Sequence, residues 1–239
     1  MNILLLGYGK MGQLIDQLAT AKGHQIVGRI NIDNRHELEN LDAKSVDVAI
    51  EFSQPEAAIE NIKWCLDRQI PVAVGTTGWL DRKDEINQYC SEKNGTYLFA
   101  SNYSIGVNIF FKLNEYLAQM MAEQEYQVST KEIHHTSKKD APSGTSITLA
   151  EGILKHLSTK QKWVNQKSDK AEELEIISER IDPAPGTHEI NYSSPVDTIE
   201  IKHTAHSREG FAKGAIAVAE WLKDQKGVKT MDEFLESRF

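Results

Sequence analysis

Cysteine and proline are scarce in this sequence, two and six in 239 residues. Two thiols cannot build a disulfide scaffold, so the fold must rest on an apolar core. Cys65 and Cys90 both fall in segments with helical periodicity and form no metal-ligand spacing, and the expectation is a reduced, cytoplasmic setting. Basic residues are outnumbered, 27 Lys and Arg against 35 Asp and Glu, for a net charge of -8. Nucleic acid and anionic membranes call for concentrated positive surface, so neither is expected as a main partner. No apolar run is long enough to cross a bilayer. The opening run Met1 to Leu6 has neither the length nor the basic leader of a signal peptide. Internal repeats and low-complexity segments are also missing.

What is present is 40% hydrophobic residues, enough to bury one large core or two modest ones. The chain opens on Asn2-Ile-Leu-Leu-Leu6, a continuous apolar run of the kind a strand buried on both faces shows. Gly7-Tyr8-Gly9-Lys10-Met11-Gly12 follows directly, then a helical pattern through Leu14, Ile15, Leu18 and Ala19, then the β-prone Gln25 to Ile30. Strand, Gly-x-Gly-x-x-Gly, helix and strand is the context in which that glycine pattern holds a dinucleotide pyrophosphate. Asp33, about twenty residues on, is placed to bind ribose hydroxyls, while Arg35 beside it suits a 2′-phosphate, so NADH and NADPH both stay open.

Strand Val46 to Ile50, a helix entered at Pro55, strand Pro71 to Val74, a polar helix through Ile86 and strand Thr96 to Phe99 continue the alternation of a parallel sheet. Two of these strands end in candidate ligand loops. Gly75-Thr76-Thr77-Gly78 suits the nicotinamide side of a cofactor, and Ala100-Ser101-Asn102-Tyr103 is the second. An amphipathic helix from Gly106 to about Glu123 follows, with Val107, Phe110, Leu113, Leu117 and Met120 expected in its core face. Beyond it the pattern changes to a mixed or antiparallel one, with β-prone runs at Tyr126 to Ile133, Glu173 to Ile181, Thr187 to Tyr192 and Thr198 to Ala205. Lys160 to Glu173 is polar and reads as an exposed loop; Gly210 to Lys223 reads as a late helix with a short tail.

Chemistry concentrates in Glu132-Ile-His134-His135-Thr-Ser-Lys138-Lys139-Asp140-Ala-Pro142-Ser-Gly144-Thr145. A strand delivers the two histidines to its C-terminal end, and Ser143-Gly144-Thr145 opens a helix whose free N–H groups and dipole suit a carboxylate. His188, His203 and His206 lie in the later strands, where a substrate contact and an ordinary surface histidine are equally compatible with the pattern. No metal site is expected, because His134 and His135 lack a third ligand at a recognised spacing.

This stretch resembles the signature of the dihydrodipicolinate reductase (4-hydroxy-tetrahydrodipicolinate reductase) family of lysine and diaminopimelate biosynthesis, Glu-x-His-His-x-x-Lys-x-Asp-Ala-Pro-Ser-Gly-Thr. The resemblance implies an α/β fold, a Rossmann-type parallel-sheet domain over 1–103 and a mixed α/β domain over 104–207 for substrate and tetramer contacts. Residues 208–239, with Arg208 and Phe211 to Gly214, would return to the first domain. It further implies NADH or NADPH as cofactor, a small dicarboxylate substrate and a homotetramer. Residue by residue, Gly7 to Gly12, Gly75 to Thr77 and Ala100 to Tyr103 would hold the cofactor. His134 would be the acid/base histidine, Lys138 the proton donor, His135 a substrate contact, and Gly144 and Thr145 the carboxylate clamp. Physical chemistry agrees: hydride added to a conjugated double bond leaves negative charge that an ammonium can protonate. Asp140 would orient a lysine or the loop, or act as a cap. The glycine loop is a residue shorter than the Gly-x-x-Gly-x-x-Gly form common in the family, and Tyr103 stands where phenylalanine is frequent. Two other readings compete. A semialdehyde dehydrogenase needs a nucleophilic cysteine, for which Cys65 and Cys90 are poorly placed, and a dinucleotide sensor has no use for His134 and Lys138.

Overall fold

The computed structural model describes residues 1–238. These fall into two compact units, Met1–Ile105 with the segment beginning at Glu209, and Gly106–Arg208.

In the first unit β1 (Asn2–Leu6), α1 (Lys10–Ala21), β2 (Gln25–Ile30), β3 (Val48–Glu51), α2 (Pro55–Asp67), β4 (Val72–Val74), α3 (Lys83–Glu92) and β5 (Thr96–Phe99) alternate, with a 3-10 stretch at Ile32–Glu39. The apolar run of β1 is explained by burial on both faces. Ile3 and Leu5 pack with Ile15 and Ala19 of α1 on one face, while Leu4 and Leu6 pack with Ala58, Ile62 and Leu66 of α2 on the other. A strand covered on both faces needs no polar alternation.

The second unit contains α4 (Ile105–Met121), β6 (Gln127–His134), α5 (Gly144–Leu154), β7 (Lys162–Val164), β8 (Glu173–Arg180), β9 (Gly186–Ser193) and β10 (Thr198–Ala205). The order of its five-stranded sheet is β10-β9-β6-β8-β7. β6 runs parallel to β8 and antiparallel to β9, so the sheet is mixed. One face packs on α4 and α5 through Phe110, Leu117, Leu149 and Ile153 against Leu174, Ile176, Ile190 and Tyr192. The turn Ser194 to Asp197 closes the β9–β10 hairpin with a 2.9 Å Ser194 N–H to Asp197 carbonyl bond.

The chain then returns to the first unit through α6 (Glu209–Leu222), β11 (Gly227–Lys229) and α7 (Met231–Glu236). β11 pairs parallel with β5 and completes a six-stranded parallel sheet, order β11-β5-β4-β3-β1-β2. From β1 the chain moves outward to β2, then crosses to β3 on the other side of β1. This reversal leaves a crevice beyond the carboxyl ends of β1 and β3, where open α/β sheets bind ligands.

Three local expectations need correction. Leu113 and Met120 of α4 are not core; they are 46% and 50% exposed and share a stripe with Ile109 and Tyr116. The core face of α4 runs instead through Phe110, Asn114, Leu117, Ala118 and Met121. The polar stretch after Lys160 contains the short edge strand β7, set by pairing with β8, where Trp163 and Val164 are too short a run to stand out from the surrounding polar residues. The tail contains β11 for the same reason. The return segment is anchored by Phe234, fully buried with its ring 5.6 Å from Trp221. Phe234→Ala should therefore lower stability by roughly 3–5 kcal/mol, as large-to-small core changes of this kind do, read as a shift in the denaturant midpoint.

Candidate active site

The glycine loop in the first unit is shaped by steric limits. Gly7 has φ +98°, and a Cβ there would stand 2.0 Å from the Phe52 carbonyl oxygen. A Cβ at Gly12 would meet the Gly7 carbonyl oxygen at 2.2 Å, so α1 packs on the loop only because Gly12 has no side chain. Gly9 faces open space and forms the N-cap of α1, with no side-chain cap and no acidic residue in the first turn. The start of α1 is thus bare backbone N–H at the positive end of a helix, suited to a pyrophosphate. Behind it the Tyr8 hydroxyl donates to Asp16 at 2.6 Å, and Arg29 Nε donates to the same carboxylate at 2.6 Å. The Arg29 hydrogen bond holds the Asp16 carboxyl below the usual carboxylate range. Lys10 is exposed and Met11 half-buried beside the loop.

A cleft of about 620 Å³ opens here, lined by Gly7, Gly9, Asn31, Arg35, Ser53 and Asn61 among others. These groups follow β1, β2 and β3, the topological switch point, and they fit a dinucleotide. Arg35 belongs to the lining and hydrogen-bonds Asn61, which in turn reaches the buried Glu51 at 3.2 Å. Burial pushes the Glu51 carboxyl upward. Asp33 is exposed and outside this lining. The next loop is tied in by Thr76 Oγ1, which accepts the Ser53 N–H at 2.7 Å, and by Trp79, whose indole donates to the Thr76 carbonyl at 2.7 Å. Gly75 lies under the Phe52 ring, and Thr77 is exposed. Ala100 is buried and Ser101 exposed, and the Asn102 side chain accepts from Ser104 N–H at 2.9 Å. The Tyr103 side chain is core, its hydroxyl donating to the Val74 carbonyl at 3.0 Å.

In the second unit strand register dictates what meets. Glu132 of β6 stands opposite His188 of β9 on one side and Ser178 of β8 on the other, and His134 stands opposite Arg180. Glu132 and His134 are two apart on a strand and share a face. The Glu132 carboxylate is wholly buried and accepts from the Ser143 N–H at 3.1 Å, Ser146 Oγ at 2.8 Å, Ser178 Oγ at 2.7 Å and Arg180 Nη2 at 3.2 Å. His134 Nε2 lies 3.4 Å from it. Burial alone would raise this carboxyl, but the combined donors outweigh it and hold it well below the usual range. The rings of His134 and His188 meet edge to face at 5.2 Å, and Ser143 Oγ is 3.2 Å from His188 Nε2.

Lys138 follows in the loop, its side chain 20% exposed and its ammonium 2.8 Å from both oxygens of Asp140. Ser143 caps α5 by accepting from Ser146 N–H at 3.2 Å. The N–H groups of Gly144 and Thr145 have no protein acceptor among the described residues, as the first N–H groups of a helix do not. His135, just past the end of β6, has its Nδ1 2.7 Å from Ser137 Oγ. Lys139 and His206 are exposed. His203 rests on the Phe110 ring at 5.9 Å, and burial lowers its pKa.

Glu132, His134 and His188 bring three potential ligand atoms within 4.8 Å of one another. The third partner that spacing did not show is therefore supplied across the sheet. The carboxylate is nonetheless already saturated by its four donors, one of them the Arg180 guanidinium, and this opposes a divalent cation. The chain pattern did carry a signal for Glu132, two residues before His134 on one strand face; Arg180, Ser178 and His188 are brought in by pairing that only the fold reveals. Burial and the neighbouring His134 push the His188 pKa down to about 4. A group neutral when folded and protonated at about pH 6.5 when unfolded stabilises fully above pH 6.5 and loses that contribution as pH falls toward 4. Between those values wild-type urea midpoints should drop by an amount worth roughly 3 kcal/mol from this group, and His188→Gln should flatten the dependence.

Two family profiles match the chain, "Dihydrodipicolinate reductase, N-terminus" over residues 1–103 and "Dihydrodipicolinate reductase, C-terminus" over residues 106–235. The 4-hydroxy-tetrahydrodipicolinate reductase of Christiangramia forsetii is 46% identical over 241 residues, covering 100% of this chain and 99% of that protein. That of Archaeoglobus fulgidus is 33% identical, covering 95% and 96%. Among solved structures, the dipicolinate-bound dihydrodipicolinate reductase from Paenisporosarcina sp. TG-14 shares the fold with a TM-score of 0.77 at 20% identity, covering 96% of this chain and 97% of that one. With both halves of the family pattern present along the whole chain, the protein belongs to the dihydrodipicolinate reductase family and is an oxidoreductase of the 4-hydroxy-tetrahydrodipicolinate reductase type.

Proposed function

We propose that the chain takes hydride from NADH or NADPH held by the first unit, residues 1–103 with the return segment 208–239. On this reading the second unit, residues 104–207, binds a dicarboxylate, 4-hydroxy-tetrahydrodipicolinate, and releases tetrahydrodipicolinate and water. When bound, the nicotinamide supplies the hydride. Gly7 to Gly12 would receive the pyrophosphate at the bare start of α1, and Gly75 to Thr77 with Ala100 to Tyr103 the nicotinamide side. Loss of the substrate hydroxyl as water leaves a conjugated double bond, and hydride addition to it leaves negative charge that takes up one proton. Lys138 gives that proton, its ammonium held by Asp140 at 2.8 Å. His134 stands beside the Glu132 carboxylate and acts in proton exchange, His135 contacts substrate, and Gly144 and Thr145 receive a substrate carboxylate on unbonded N–H groups.

The observation that carries this reading is that the buried Glu132 carboxylate, with His134 Nε2 3.4 Å away, is bonded to the start of α5 and, through Arg180, to the backbone of the Asp140 that pairs with Lys138. A structural histidine cluster would have no need of an ammonium next to it. We further read the enzyme as a cytoplasmic homotetramer assembled through the second unit. The exposed apolar stripe Ile109, Leu113, Tyr116 and Met120 on α4 is surface that a subunit contact would cover.

Oxidation of NAD(P)H dependent on the product of a coupled dihydrodipicolinate synthase tests the activity, and Lys138→Ala should lower kcat at least ~100-fold. Normal turnover in a folded Lys138→Ala protein would remove it as the proton donor. KM values for NADH and NADPH measured side by side test the cofactor cleft. Arg35→Ala should raise KM for NADPH by about 10-fold or more while leaving NADH nearly unchanged, since only the phosphate ester offers the guanidinium a charged acceptor.

A further inference from the structure

We propose that Glu132 is a positioning residue of the reductase, a buried anion that sets His134, the Lys138 loop and the carboxylate-binding helix start in one geometry, so that the three act as a unit. This rests on the reductase reading above and deepens it.

The carboxylate cannot touch substrate, because it is wholly buried and each oxygen is already engaged. Its influence must pass through its partners, and those partners lead to every group assigned to the chemistry. His134 is 3.4 Å from Oε2 on the same strand face. Arg180 Nη2 donates both to Oε1 at 3.2 Å and to the Asp140 carbonyl at 2.7 Å, so the segment in which Asp140 holds the Lys138 ammonium is fastened to the same carboxylate. The Ser143 N–H and the Ser146 hydroxyl complete the link to α5. By taking the N–H of Ser143 and leaving those of Gly144 and Thr145 without a protein acceptor among the described residues, Glu132 anchors the helix start from beneath. A merely structural ion pair would be satisfied by Arg180; here the donors come from the end of the loop, α5 and β8 together. Charge-assisted hydrogen bonds to one buried anion are strong and directional, and misplacing a reacting group by about 1 Å can cost on the order of 100-fold in rate.

The test uses the full-length enzyme. Glu132→Gln keeps the shape but replaces one acceptor oxygen by an N–H₂ that must oppose the Ser143 N–H or its hydroxyl neighbours. It should lower kcat about 10- to 100-fold and raise KM for the dicarboxylate. KM for NAD(P)H should not move, because the glycine loop and its cleft share no bond with Glu132. Glu132→Asp, which restores the charge, should recover part of the loss. The decisive measurement is a double-mutant cycle: Lys138→Ala should cost far less in the Glu132→Gln background than in wild type, because the ammonium is already misplaced. Turnover within about twofold of wild type in Glu132→Gln, or full additivity with a damaging Lys138→Ala, overturns the proposal. Lys138→Ala with normal turnover overturns instead the proton-donor reading on which it rests. Should Glu132→Gln fail to fold, Arg180→Met takes its place in the same cycle; it removes the one nitrogen, Nη2, that bonds both Oε1 and the Asp140 carbonyl, and the same two outcomes decide.

Discussion

A carboxylate taken out of water must be met by donors, or the fold around it gives way. In the second unit Glu132 has this standing. Strand pairing puts His188 and Ser178 on either side of it, and the loop after β6 turns back so that Ser143 and Ser146 reach it from the start of α5. The loop that carries Lys138 is therefore not a free connection between a strand and a helix. Its far end at Ser143, and its middle through Arg180 and the Asp140 carbonyl, are fastened to one anion. Loops tolerate change where nothing holds them; this one is held at Ser143 and at the Asp140 backbone.

The first unit solves its problem in the opposite way, by leaving atoms out. Gly7 and Gly12 have no side chains because the Phe52 carbonyl and the Gly7 carbonyl occupy the space, and Gly9 leaves the helix start open. Charged groups there are kept behind the loop, as in Tyr8–Asp16–Arg29, or across the cleft, as in Arg35–Asn61–Glu51. An anionic ligand thus meets backbone N–H at the helix start, with the side-chain cations Lys10 and Arg35 at its edges.

Much of this was legible in the sequence because its signals are local. The apolar run of β1, the glycines after it and the Pro55 helix entry each state their geometry within a few residues. The His134 to Thr145 stretch likewise announced a strand end and a helix start. What stayed hidden depends on pairing between distant segments. β7 and β11 are three-residue edge strands defined by their neighbours, and Ser178, Arg180 and His188 enter the site only through registers with β6. The exposed side of α4 was misread for a related reason: its stripe of Ile109, Leu113, Tyr116 and Met120 is as apolar as the buried stripe, so periodicity alone could not rank the two faces. Asp33 and Arg35, two residues apart, were indistinguishable until the 3-10 stretch turned the guanidinium into the cleft and the carboxylate toward solvent.

The return of α6, β11 and α7 also imposes an order on biosynthesis. A chain emerging from the ribosome exposes Gly106–Arg208 as one contiguous unit before β11 exists to cover the edge of β5, and before α6 supplies Ala215, Val218 and Leu222 to the core beneath β1 and β3. The later unit in sequence can be finished while the earlier one still waits for its lid of helices, and the first unit is the last to mature.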